Sequence, residues 1–245
     1  DSAVLTEDNT GYKAGVNADA LRPQLALMNP ELTYTLPRYQ VACGVVDILM
    51  HTLERYFTSV KGNELTDEIA EGLMRTVIRN GEIAYKDPTD YDAMSELMWC
   101  GSLSHNGLTG LGRPKDFAAH KLGHGLSGMF DKAHGATLSA TWGSWARYVY
   151  HLDEERFARY GREVWGIDIE DTGKAAIAAI ERTEEFFRSL QMPACIGELG
   201  IGLLSDEVLK KLSDSATKGG TVEVACFRKL SARDLYEIYK AANHE

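Results

Sequence analysis

Apolar residues recur every three to four positions through most of this 245-residue chain, and the recurrence sets in abruptly near residue 35. Thr35 and Pro37 read as a helix start, because proline in a first turn gives up an N–H that has no helical partner anyway. The run behind them predicts a helix over 38–57. The same period predicts helices over about 66–85, 90–108, 115–128, 134–150, 153–165, 172–190, 205–213 and 231–242. Gly- or Pro-bearing breaks at 61–63, 87–88, 110–114 and 192–193 separate several of them. Residues 1–29 have another texture: SAVLT, a polar stretch over 7–10, YKAGV and QLALMN suggest two or three strands or extended pieces. The expected fold is mainly α, a helical body over 31–245 behind a short β leader over 1–30.

Composition narrows the partners. With 44% hydrophobic residues the chain can bury a large core. A net charge of -10, from 26 basic and 36 acidic residues, argues against nucleic acid or an anionic membrane surface and favours a small molecule. Cys43, Cys100, Cys195 and Cys226 are widely spaced without a CxxC, which fits reduced thiols in a cytoplasmic protein better than a thiolate zinc site or a disulfide framework. No apolar run approaches the ~20 residues that span a bilayer, and no charged-then-apolar signal segment opens the sequence.

The chemistry is carried by histidines. Asp47 and His51 in VVDILMH, and His120 and His124 in HKLGH, are pairs spaced by four, so each pair lies on one helix face. His134 follows closely. Asp47 sits among Val45, Val46, Ile48, Leu49 and Leu53, where an unpaired carboxylate costs several kcal/mol unless a cation or donors meet it. On that pair alone, an Asp47 paired with a basic residue and a satisfied core His51 is as good a reading as a metal site. The second cluster shifts the balance, since a group rich in His and a group of Asp with His together suit a divalent first-row metal. His105, His151 and His244 are left as surface or core residues. GHGLSG, with Gly123, Gly125 and Gly128, matches GxGxxG, but a dinucleotide fingerprint follows a strand and these glycines follow a helical run. They are expected to end a helix tightly or to let a ligand approach the backbone.

The stretches LPRYQVACGVVDILMHTLERYF and MWCGSLSHNGLTGLGRPKDFAAHKLGHGLSGMFDKAHG, with the helices behind them, resemble the C-terminal helical domain of the iron-dependent alcohol dehydrogenases, in particular the NADP-linked butanol dehydrogenase type. The resemblance implies metal ligands at Asp47, His51, His120 and His134. It places His124 beside the metal and the nicotinamide, where it could relay the alcohol proton. It implies Fe(II), with Zn as a substitute, and NAD or NADP, with NADP favoured. The substrate would be a primary alcohol or its aldehyde, and the assembly a homodimer. It also implies that residues 1–30 are the last strands of an N-terminal cofactor-binding α/β domain, so that these 245 residues alone would turn over alcohol poorly. Two readings from other classes stand beside it: a metal-dependent hydrolase, and a non-catalytic helical domain with a structural metal.

Overall fold

The computed structural model describes residues 2–9 and 13–245. Strands β1 (Ser2–Thr6) and β2 (Lys13–Asn17) form an antiparallel hairpin in which Ser2 faces Asn17 and Thr6 faces Lys13. Thr10 of the expected polar stretch and Tyr12 of YKAGV lie outside the described residues. QLALMN, the third extended piece, joins no sheet. Its Leu25 and Leu27 are 77% and 87% exposed. It has no β-branched or aromatic residue, and among the described residues no strand lies beside it to pair with.

Nine α-helices follow among the described residues: α1 (Arg38–Tyr56), α2 (Glu64–Lys86), α3 (Tyr91–His105), α4 (Ala118–Phe130), α5 (His134–Val149), α6 (Glu154–Trp165), α7 (Thr172–Ser189), α8 (Asp206–Ala216) and α9 (Ala232–Ala242). Side-chain caps start five of them. Asp90, Asp153, Asp171 and Ser205 each accept from a first-turn N–H, and Ser231 forms a capping box with Asp234. No described helix is long and apolar enough to cross a membrane.

Two helix ends differ from the periodic reading in ways that shape the site. The helix expected over 90–108 stops at His105, because the Asn106 side chain accepts from Leu108 N–H and Gly107 takes a left-handed φ of 97°. The helix expected from 115 begins at Ala118. Asp116 turns inward to accept from the N–H groups of Ala118, Cys226 and Phe227, and Phe117 adopts a φ of 58°.

Helix α1 is the centre of the body. It packs against α2, α3, α4 and α5, and its Val46, Leu49, Met50 and Leu53 are fully buried. Its C-terminal end leads into an aromatic cluster in which Phe57 stacks on Phe157 at 4.2 Å between ring centres, with Trp145, Tyr160 and Phe227 edge-on around it. Such a core fixes the C-terminal half of α1 rigidly. The chemistry-bearing residues of that helix are therefore held on a firm support.

Candidate metal centre

Asp47 and His51 stand one turn apart on α1, His120 lies in the first turn of α4, and His134 is the first residue of α5. What brings His134 to α1 is the glycine after it. A Cβ on Gly135 would lie 2.3 Å from the Cys43 carbonyl oxygen, so only glycine lets the start of α5 come this close to the α1 backbone. Gly123 and Gly125 of GHGLSG serve the same purpose, rather than ending the helix. They lie inside α4, where a Cβ on Gly123 would meet Leu138 at 2.9 Å and one on Gly125 would meet the Tyr239 hydroxyl at 2.8 Å. They seat α4 against α5 and α9.

Three imidazole nitrogens surround one carboxylate oxygen. Asp47 Oδ1 lies 3.7 Å from His51 Nε2, 3.6 Å from His120 Nε2 and 3.7 Å from His134 Nε2. It is buried and, among the described residues, has no hydrogen-bond partner. These separations are too long for hydrogen bonds. They suit donors that share one ion, since two atoms each ~2.1 Å from a metal lie about 3–4 Å apart. One carboxylate with three imidazoles is also a donor set that a divalent first-row metal accepts.

The surroundings hold these rings in place. Glu54, 1% exposed, takes a close contact from His120 Nδ1 through Oε2 and accepts from the His120 backbone N–H at 3.0 Å through Oε1. A carboxylate behind an imidazole fixes its tautomer and leaves Nε2 for the ion. Arg55 donates to the His51 carbonyl oxygen at 2.6 Å, lies 3.1 Å from His51 Nδ1, and stands over the Phe117 ring. His51 Nε2 and His120 Nε2 are only 3.1 Å apart, a spacing that without metal needs a proton between them.

The charges reflect this crowding. Burial would raise the pKa of Asp47, but its interaction with His120 and the nearby His51 and His134 rings outweighs burial and lowers it. Burial pulls His120 down, yet Glu54 and then Asp47 more than offset that and raise it to about 9. Burial lowers His51 and His105. Asp116 behind α4 is raised to about 6 by burial, against the three N–H groups it accepts.

His124, half-buried one turn after His120, places its ring centre 5.0 Å from that of His134 and 6.0 Å from that of His120. It borders the cluster without entering either three-donor set among the described residues, Asp47–His51–His105 and Asp47–His120–His134. His151 and His244 are exposed, as expected. His105 corrects the sequence reading: its Nε2 stands 3.8 Å from Asp47 Oδ2, and its ring centre 3.7 Å from that of His51. Nothing periodic links residue 105 to residue 47, so only the crossing of α1 and α3 reveals it. Glu54 was also missed, although a Glu–Arg pair inside the apolar run ILMHTLERYF was the signal that could have found it.

Comparison with known proteins adds lineage to this geometry. Residues 41–243 match the Fe-containing alcohol dehydrogenase family, C-terminal part. The chain is 38% identical over 240 residues to NADH-dependent butanol dehydrogenase A of Clostridium acetobutylicum, covering 97% of this chain and 61% of that protein. It is 35% identical over 213 residues to the NADPH-dependent aldehyde reductase YqhD of Escherichia coli, covering 86% of this chain and 55% of that protein. The solved structure of YqhD superposes with a TM-score of 0.92 over 98% of this chain. A butanol dehydrogenase A from Thermotoga maritima, 30% identical, gives the same TM-score over 99% of this chain and 62% of its own. The chain thus spans about three fifths of the length of the relatives it matches.

Proposed function

Since this chain belongs to the Fe-containing alcohol dehydrogenase family and matches its C-terminal part, we propose that it provides the metal-holding, substrate-side part of an enzyme that transfers hydride between a primary alcohol and NAD(P), and in reverse reduces the aldehyde. The observation that carries this reading is the buried, unpartnered Asp47 Oδ1 with three imidazole Nε2 atoms 3.6–3.7 Å around it. Asp47, His51, His120 and His134 are the residues that would hold the ion, Fe(II) in the first place with Zn as substitute. A divalent cation there supplies Lewis acidity, which favours the alkoxide form of an alcohol. Glu54 keeps the His120 ring oriented for this, and the Phe117 ring, 4.8 Å from that of His120 and 5.6 Å from that of His51, walls the imidazoles with apolar surface. In the proposed reaction the alcohol would lose its hydroxyl proton and the carbinol carbon would give hydride to a bound nicotinamide. His124, half-buried with its ring centre 5.0 Å from that of His134, would pass that proton towards solvent.

The finer preference for NADP is part of the same proposal. The relatives' names divide between NADH for butanol dehydrogenase A and NADPH for YqhD, so rates with the two cofactors decide it. The test is an assay of the protein at the full length its gene encodes, loaded with Fe(II), following oxidation of reduced nicotinamide by a short aliphatic aldehyde. We expect aldehyde-dependent turnover that stops on chelation and returns with Fe(II). Metal-dependent hydrolysis of esters or phosphates without nicotinamide would replace this reading with the hydrolase one.

A further inference from the structure

His105 has a second nitrogen whose role is not accounted for by packing. It ends α3, and its Nδ1 lies 2.8 Å from the Gly101 carbonyl oxygen and 2.8 Å from Ser104 Oγ, which itself donates to Gly101 at 2.9 Å. A carbonyl can only accept, so in the neutral ring Nδ1 carries the proton and Nε2 carries the lone pair. That lone pair faces Asp47 Oδ2 at 3.8 Å, which sets two acceptors towards each other with no hydrogen between them. The arrangement is unfavourable unless something positive lies between them, and the separation is again that of two donors on one ion. His51, whose Nε2 faces Asp47 Oδ1, completes a mutually close three-donor set with Asp47 and His105, while His105 itself stands at the oxygen opposite the one that faces His120 and His134.

We propose that His105 is a fifth protein donor to the cation of this centre, binding through Nε2 on the Oδ2 side of Asp47. The inference rests on the reading that Asp47, His51, His120 and His134 hold that cation. Charge favours one ion over two: among the described residues Asp47 is the carboxylate common to both donor sets, Glu54 being engaged by His120, and one carboxylate offsets little of the charge of two divalent cations. One ion reached from both sides satisfies both sets. The outer donor is also the more accessible one, with a side chain 40% exposed against 5% for His120. His105 is therefore the donor that solvent meets first, and losing it should affect how fast metal leaves more than whether it binds.

Loading the nitrogen-15 histidine-labelled protein with cadmium-113 tests this by counting the imidazole nitrogens that show through-bond coupling to the metal. Coupling from four rings, those of His51, His105, His120 and His134, supports the fifth donor. Coupling from three rings, with one cation per chain, overturns it and leaves the reading of the other ligands standing. Absence of any bound cation would overturn both. The substitution His105→Gln gives an independent readout. We expect Cd(II) or Zn(II) still to bind one per chain, with release to a chelator faster by about tenfold or more, and release unchanged from that of the parent protein would count against the proposal. His105→Phe, which keeps a ring but no nitrogen, should behave in the same way, separating ligation from packing.

Discussion

Two aspartates on neighbouring helices, Asp67 buried and Asp47 half-buried with one buried oxygen, meet their surroundings in opposite ways. Asp67 of α2 accepts from Arg156 at 2.6 Å on each of its oxygens and contacts Arg113 as well. Arg156 lies 3.7 Å over the Tyr56 ring and donates to the Tyr56 carbonyl, while the Tyr56 hydroxyl donates to Glu71, which Arg159 also holds. Every oxygen of Asp67 is met by a permanent cation at hydrogen-bond distance. Asp47 has imidazoles instead of guanidiniums, and they stand about an ångström further off. A closed ion-pair network does not need anything added to it, whereas a ring of lone-pair donors around an orphaned oxygen does. The same residue type therefore ties α1, α2 and α6 together in one place and prepares a binding site in the other.

That contrast can be pressed experimentally. The largest effect is expected at the closed centre: Asp67→Ala leaves two buried guanidiniums without their partner and should destabilise the protein by about 3–5 kcal/mol, read by denaturant unfolding, with metal content unaffected. A loss of metal on that substitution would show that the two centres are not independent. Next comes the open centre, where His120→Ala and His134→Ala should each weaken metal affinity beyond the ~10–100-fold typical of outer-shell changes, while His151→Ala leaves it intact. Equal metal content in all three proteins would remove the donor assignment. A third effect is thermal. Saturating the open centre at about a hundredfold over its dissociation constant should raise the melting temperature by roughly 5–10 °C, and an unchanged melt after complete chelation would place the ion at the periphery of the fold.

The smallest effect is with acid. Asp67 is held below the usual carboxylate range by Arg156 and Arg113, against the opposing effect of burial. A carboxyl depressed in the folded state contributes stability that is full above the unfolded pKa of about 3.9 and is lost as pH falls through the folded value. Stability should thus decline as the pH drops below about 4, and Asp67→Asn should flatten that decline. A variant that kept the parent's full slope would assign the acid sensitivity to other groups.

Much of the open centre was legible because its parts are local. Asp47 with His51 and His120 with His124 are each one helical turn apart, a spacing that reads directly from sequence. His105 was not legible, for its relation to the cluster exists only where α1 crosses α3, and Glu54 was legible only as a charged residue inside an apolar run, its partner being set by the crossing of α1 and α4. The closed centre was invisible for the same reason, as it joins residues some 90 positions apart. Helix ends were legible where a cap residue precedes an apolar run. They were missed at Asn106 and Phe117, where a side-chain turn and a left-handed backbone override the periodicity. QLALMN lacks the β-branched and aromatic residues of a strand, and sequence cannot supply the neighbour a ladder requires.

The contact at Gly135 turns the spacing of two helices into a gauge for the metal centre. A methyl group there would start 2.3 Å from a backbone oxygen that cannot swing aside, so α5 would have to lift away by roughly an ångström or unwind at its tip. Binding constellations tolerate about 0.5 Å. The wedge would carry His134 out of range of Asp47 without altering a single donor atom. Gly135→Ala is thus a way to empty the centre from behind, with every side chain that could bind the ion still present.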